Sequence, residues 1–132
     1  MSVYFLDTSI IIPCLRGERD AYTKLQELEG ELVSGYICLA ELYEGIFRVK
    51  DRGKAEQAVG KFFDGLSTIY TIDRATAQAF GSIRAGLKEK GRVIGDIDIL
   101  IAATCLAHRL LLVTANPKHF NRVKGLEVVA LL

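Results

Sequence analysis

Three short segments of the sequence place acidic residues at the end of an apolar run or inside one. Asp7 lies in residues 3–9 (VYFLDTS), Glu41 in residues 39–45 (LAELYEG), and Asp96 and Asp98 in residues 95–103 (GDIDILIAA). Carboxylate oxygens are the ligands that Mg²⁺ and Mn²⁺ prefer. A cation held in this way lowers the pKa of bound water and stabilises charge on a phosphoryl group. The segments therefore predict a metal site that hydrolyses phosphodiesters without a Ser, Cys or His nucleophile.

Each acidic residue also has a purely structural explanation. Asp7 at a helix start would cap backbone N–H groups, and Glu41 and Asp96 in a first helical turn would be stabilised by the helix dipole. Asp98 is less easily explained, because isoleucine and leucine surround it in a largely apolar helix. An unpaired buried carboxylate is costly, so Asp98 is the residue that most requires a cation.

The histidines and cysteines favour neither a zinc site nor a disulfide framework. The only histidines, His108 and His119, are too few and too far apart, and the three cysteines are widely spaced in apolar runs: Cys14, Cys38 and Cys105. Buried, reduced thiols of an intracellular protein are the better interpretation.

The length and composition fit a single domain spanning residues 1–132. Half of the residues are hydrophobic, which is ample for a core. No segment approaches the roughly 18 apolar residues of a membrane span, and the N-terminus lacks the features of a signal peptide. We expect a cytoplasmic protein with no membrane association.

The charge is unevenly distributed along the chain. The formal net charge is +1, but residues 1–66 carry a net charge of −3 and residues 67–132 a net charge of +4. The second half could form a basic patch, or its cations could be ordinary solvated surface. The candidates for such a patch are Arg84, Lys88, Lys90, Arg92, Lys118, Arg122 and Lys124.

Strand and helix patterns alternate along the whole chain. Apolar and β-branched runs predict strands at residues 3–6, 32–38, 68–72, 110–114 and 126–130. Apolar residues at helical spacing predict helices at residues 10–16, 21–28, 39–49, 54–66, 74–90 and 96–108. Pro13 is compatible with the first of these helices only in its first turn. The alternation indicates parallel pairing in an α/β sandwich, which would gather the acidic residues at one edge of the sheet.

The acidic segments and the residues around them resemble the motifs of the PIN-domain family, specifically its VapC-like ribonuclease toxins. The resemblance spans nearly the whole chain through LDT at 6–8, AEL at 40–42 with Gly45, GR at 91–92, GDID at 95–98, IAA at 101–103, LVTAN at 112–116 and Phe120. It implies a PIN-like three-layer sandwich, with a central and mainly parallel sheet flanked by helices.

The resemblance also implies roles for individual residues. Asp7, Glu41 and Asp98 match the catalytic acidic triad that holds Mg²⁺, with Mn²⁺ as an alternative ion, and Asp96 is an additional acidic residue at the metal. Asn116 stands where members of the family often carry a fourth acidic or amide group. Thr8 and Thr114 would support the site by hydrogen bonding to water or phosphate, or they are ordinary cap and strand residues.

The function implied is that of a Mg²⁺-dependent endoribonuclease, the toxin of a toxin–antitoxin pair. Its partners would be a cognate antitoxin, an RNA substrate and a second copy in a homodimer. Two other functions remain open. One is a phosphatase with Asp7 as nucleophile, although such enzymes usually carry a second Asp where this chain has Ser9. The other is a non-catalytic or differently targeted PIN-like module.

Overall fold

The computed structural model describes all 132 residues, and its strands and helices alternate as predicted. The strands are β1 (Ser2–Leu6), β2 (Gly30–Gly35), β3 (Ile69–Tyr70), β4 (Leu111–Thr114) and β5 (Val128–Ala130). The helices are α1 (Thr8–Leu15), α2 (Arg19–Gln26), α3 (Tyr36–Arg48), α4 (Arg52–Asp64), α5 (Arg74–Glu89) and α6 (Asp96–His108), and a 3₁₀ turn covers Pro117–His119. None of these helices combines the length and the apolar content that a membrane crossing requires.

The five strands form one sheet in the order β3-β2-β1-β4-β5, and every neighbouring pair is parallel. This confirms the predicted α/β architecture. Because all strands run in the same direction, their carboxyl ends share one edge of the sheet. The central strand β1 reaches that edge between β2 and β4.

Helices cover both faces of the sheet. Successive residues of a strand point to opposite faces, so Phe5 and Leu6 of β1 belong to different core clusters. Phe5 packs in a cluster with Ile101 of α6, whereas Leu6 packs in a cluster with Ile10 of α1 and Phe63 of α4. The two clusters form the inner layers of a three-layer sandwich.

The boundary between β2 and α3 differs from the sequence prediction. A strand to residue 38 and a helix from residue 39 were expected, but β2 ends at Gly35 and α3 begins at Tyr36. The apolar run of residues 36–38 fits a buried strand and a buried helix equally well, so periodicity cannot place this boundary. Glu41 consequently lies in the second turn of α3, and the helix dipole does not explain its presence.

Pro13 lies in the interior of α1, at the sixth of its eight residues. The expectation that it would fall in the first turn is therefore wrong. Proline removes the N–H that would bond to the carbonyl of Ser9. The helix forms nevertheless, because Ile10 and Ile11 are fully buried against the sheet and hold it in place.

The register of β1 and β2 depends on Gly30, which pairs with Ser2. A Cβ atom on Gly30 would overlap the carbonyl oxygen of Ser2. We therefore expect Gly30→Ala to lower the free energy of unfolding by about 2 kcal/mol, measured by urea denaturation.

The matched control is Gly81→Ala in the interior of α5, where a Cβ atom meets nothing within 4 Å. This change should raise the free energy of unfolding by about 0.5–1 kcal/mol, because alanine favours the helix. A Gly30→Ala protein as stable as the wild type would contradict the close approach of the two strands.

Candidate active site

The carboxyl edge of the sheet brings together residues from three elements. Asp7 directly follows β1, and Glu41 lies on α3, the helix that follows β2. Helix α6 precedes β4 and runs antiparallel to the strands. Its first turn, which carries Asp98, therefore lies at the carboxyl edge of the sheet. Parallel topology therefore positions all three side chains at one edge, where α/β proteins place their sites.

Asp7 does not act as a helix cap. It occupies the N-cap position of α1, yet its side chain makes no capping hydrogen bond. The residue is buried, with a relative exposure of 6%. Asp51 and Asp73 show the alternative, because each accepts a hydrogen bond from the backbone N–H three residues along. The structural explanation considered for Asp7 therefore does not apply.

Two hydroxyl groups fix the carboxylate of Asp7 instead. Its Oδ2 accepts hydrogen bonds from Ser9 Oγ and Thr114 Oγ1, both at 2.8 Å. Ser9 Oγ itself accepts from the backbone N–H of Ala115, and Thr114 Oγ1 accepts from that of Asn116, each at 3.0 Å. The two hydroxyls also lie 3.2 Å from each other, but each has one proton to donate, and the shorter contacts, at 2.8 Å, are those to Oδ2. The other oxygen, Oδ1, is left to face the rest of the site.

Thr8 links Asp7 to Glu41. Its Oγ1 lies 3.3 Å from Glu41 Oε1 and 3.5 Å from Asp7 Oδ1, so its single proton can serve only one of them at a time. Carboxylate oxygens of Asp7 and Glu41 and the Sγ of Cys38 lie within 4.8 Å of one another. No Lys or Arg side chain forms an ion pair with either acid. A buried and a half-buried carboxylate therefore face each other without a protein cation.

The electrostatics of the site follow from this crowding. Burial raises the pKa of the Glu41 carboxyl, the charge of Asp7 adds to the rise, and the hydrogen bond from Thr8 opposes it. Burial also raises the pKa of Asp98, where His119 opposes the rise and Asp7 adds to it. The three acids thus repel one another across the site, and a bound cation would relieve that repulsion.

Asp98 lies outside the closest group of ligand atoms. Its Oδ2 is 3.4 Å from Nδ1 of His119, and its side chain is 30% exposed. Mg²⁺ retains several water molecules and is often held by only one or two carboxylates. A carboxylate outside the closest group would therefore hold such an ion through a bridging water molecule, and hard oxygen donors suit Mg²⁺ or Mn²⁺.

The structure does not bring Asp96 to this cluster. Residues two apart on a helix point about 200° apart around its axis, so Asp96 and Asp98 leave α6 in opposing directions. Asp96 Oδ1 accepts a hydrogen bond from Arg84 Nε at 3.1 Å in an exposed ion pair. Asn116 is also exposed, and its side-chain amide forms no hydrogen bond with Asp7, Glu41 or Asp98.

Sequence reasoning missed three residues of the site. Ser9 was considered only as the residue that stands in place of the second Asp of a phosphatase, yet its hydroxyl holds Asp7. His119 was considered only as a poor zinc ligand, yet it contacts Asp98. Burial raises the pKa of Cys38 to about 12, so this residue stays a neutral thiol beside the acids. Only Ser9, two residues after Asp7, was within reach of local sequence patterns.

The chain is similar to known proteins over nearly its whole length. The family model described as PIN domain matches residues 4–126. Ribonuclease VapC2 of Rickettsia felis is 35% identical over 129 residues, which cover 94% of each chain. A chain in the crystal structure of VapBC2 from Rickettsia felis, bound to a promoter DNA fragment, superposes with a TM-score of 0.90 at 29% identity, over 97% of this chain and 98% of the other. A chain of DNA-bound VapBC from Salmonella typhimurium has a TM-score of 0.90 at 25% identity, with 98% of each chain covered.

The raised pKa of Glu41 predicts a pH-dependent stability difference. A raised carboxyl pKa stabilises the fold below the unfolded-state pKa, and this stabilisation is lost as pH rises through the folded-state value. In EDTA at pH 7, Glu41→Gln should therefore raise the free energy of unfolding by up to about 1 kcal/mol, because solvent around the half-buried side chain screens part of the repulsion. The gain should vanish near pH 3.5, where Glu41 is protonated in both states, as urea denaturation at the two pH values would show.

Glu44→Gln is the matched control, because Glu44 lies on the same helix and forms an exposed ion pair with Arg48. This change should leave the stability within about 0.5 kcal/mol of the wild type. Equal effects of the two substitutions, or a gain for Glu41→Gln that persists at pH 3.5, would contradict the repulsion described for Glu41.

Proposed function

The chain belongs to the PIN domain family and, within it, to the VapC ribonucleases, and we propose that it is a Mg²⁺-dependent endoribonuclease that cleaves RNA phosphodiester bonds. In this proposal residues 1–132 form a single PIN-like domain and act as the toxin of a toxin–antitoxin pair. Curated relatives carry the name ribonuclease, which supports the reaction class. The dependence on a divalent metal is supported by the geometry of the acidic residues.

The observation that carries this proposal is the facing pair of Asp7 and Glu41. Their carboxylates come within 4.8 Å of each other, and neither forms an ion pair with Lys or Arg. Unpaired acids in a buried position are costly unless something neutralises them. The hydroxyls of Ser9 and Thr114 hold Asp7 in this position rather than turning it outward. The site is therefore organised around a cation.

We assign the metal to Asp7 and Asp98, with Glu41 as a third ligand or as the residue that orients the attacking water. When bound, Mg²⁺ lowers the pKa of water and stabilises the charge that develops on the phosphoryl group. Asp7 presents Oδ1 to the site because Oδ2 is committed to the two hydroxyls. Where Glu41 is not a ligand, its carboxylate oxygens would orient the attacking water by accepting a hydrogen bond from it.

The supporting residues have narrower roles in this proposal. Thr114 positions Asp7, and Thr8 places its hydroxyl between the two acids. Asp96 lies outside the site in its ion pair with Arg84 and has no role at the metal in this proposal, whereas Asn116 is exposed and free to contact substrate at the rim.

The proposed partners follow the same family. The VapBC structures similar to this chain are complexes, so we propose that a cognate antitoxin binds and inhibits it. A homodimer is the oligomeric state that we propose on the same basis. We propose a cytoplasmic location as well, since a toxin of this kind would act on cellular RNA.

Asp98→Asn and Asp7→Asn should each reduce cleavage of single-stranded RNA in Mg²⁺ by at least about 100-fold while preserving the fold, because each removes a metal-binding charge. The measurement is the rate of product formation from a labelled RNA by the purified protein, with and without EDTA. Circular dichroism of each variant reports whether the fold is preserved.

Asp96→Asn is the matched control, since it removes the same charge from the same helical turn. We expect its activity to stay within about threefold of the wild type, because Asp96 pairs with Arg84 outside the cluster. Full activity of Asp98→Asn, or cleavage that persists in EDTA, would refute the metal-dependent mechanism. A phosphoaspartate trapped at Asp7 would instead favour a phosphatase, and wild-type protein without any cleavage would favour a binding module.

A further inference from the structure

A cleft of about 330 Å³ opens beside Asp98, apart from the contact between Asp7 and Glu41. Two segments that are distant in sequence form its walls. The loop before α6 and the first turn of α6 contribute one wall, and the 3₁₀ turn after β4 with the residues that follow it contributes the other. The side chains that matter here are Val93, Gly95, Asp98, Lys118, His119 and Arg122.

The cleft carries more positive than negative charge. Lys118 and Arg122 are exposed and form no ion pair with any acidic residue. The one acidic residue of the cleft, Asp98, is already in contact with His119. Two cations without acidic partners on one concave surface favour a ligand with negative charge.

The cleft is continuous with the acidic site. His119 lines the cleft, and its Nδ1 lies 3.4 Å from Oδ2 of Asp98. A ligand that extends away from Asp98 along this wall therefore reaches Lys118 and Arg122. The volume of the cleft is at the lower end of the range of about 300–1,000 Å³ for small-ligand pockets, and a cleft of this size suits a single nucleotide unit. Val93, which is 87% exposed, offers apolar surface to a base or ribose at the rim.

The acidic site itself cannot supply the affinity for a polyanion. Asp7, Glu41 and Asp98 raise the electrostatic cost of bringing RNA to this edge of the sheet, and a divalent ion offsets only part of three negative charges. Binding of nucleic acids comes mainly from Lys and Arg contacts to phosphates. The cations of the cleft are positioned to make such contacts on one side of the bond that is cleaved.

We propose that this cleft binds an RNA phosphate adjacent to the scissile one, with Lys118 and Arg122 as its cationic groups. This inference rests on the proposed ribonuclease function, because it names the part of the substrate strand that lies beside Asp98. The strand runs from the acidic residues past His119 into the cleft, so that one phosphate reacts while its neighbour is held.

The test compares Lys118→Gln/Arg122→Gln with Arg16→Gln/Lys24→Gln, which removes the same two charges from exposed positions near α1 and α2. The probe is a fluorescent 12-nucleotide single-stranded RNA, and binding is followed by anisotropy in EDTA, where the proposed cleavage does not occur. The cleft variant should bind about 10-fold more weakly at low salt. The negative slope of log K against log salt should become shallower by about 1.4, or about 0.7 for each lost contact. The control should stay within about twofold.

A second readout separates this subsite from the reacting centre. In Mg²⁺, kcat/KM of the cleft variant should fall at least about 10-fold more for the 12-nucleotide RNA than for a dinucleotide, which has no adjacent phosphate. Equal losses on both substrates, or an unchanged salt slope in EDTA, would overturn the proposal. The binding measurement needs no cleavage, so a wild-type protein that binds RNA through the cleft without cutting it would contradict the proposed function and leave the cleft assignment intact.

Discussion

The candidate site depends on the pairing of β1 with β4. Their register places Leu6 beside Val113, and the backbone N–H of Asp7 continues it by donating to the carbonyl of Val113 at 3.0 Å. This contact brings Thr114 next to Asp7, so that one strand supplies the acid and its neighbour a hydroxyl that fixes it. A shift of one residue would turn the alternating side chains to the opposite faces and separate the two. The chemistry at the edge is therefore set by the same register that sorts the core.

The acidic cluster is stabilised by the rest of the molecule rather than by its own contacts. Burial and the charge of Asp7 raise the pKa of Glu41, which means that the ionised site opposes folding. Fully buried side chains on both faces of the sheet, such as Phe5 and Leu6 on the same strand, compensate for this. A bound cation would stabilise the folded protein in two ways, because the carboxylates would coordinate the ion and their mutual repulsion would be relieved.

The sequence predicted the alternation of elements well, because apolar periodicity and strand ends are local signals. It also named three acids that the fold brings to one edge of the sheet, and their role at a metal stays a prediction. It could not place the start of α3, since residues 36–38 suit a strand or a helix. It also could not show that Asp96 pairs with Arg84, or that Thr114 reaches Asp7 from 107 residues away. These contacts depend on which elements pack together, and no spacing within one segment encodes them. The family resemblance identified the three acids of the triad. The hydrogen bonds from Ser9 and Thr114 to Asp7 are visible only in the folded structure.

The fold brings the acidic residues of the first half of the chain close to basic residues of the second half. The first half contributes Asp7 and Glu41 to the site, and the second half contributes the unpaired Lys118 and Arg122 beside it. Arg84 also belongs to the basic half, but its pairing with Asp96 removes it from the cations available to a polyanion. In the proposed function, the acidic centre would repel RNA and the neighbouring cations would attract it, so the strand would bind beside the centre and present one phosphate to the acids. Placing the attraction beside the reacting atoms, rather than on them, leaves the carboxylates free for a metal ion.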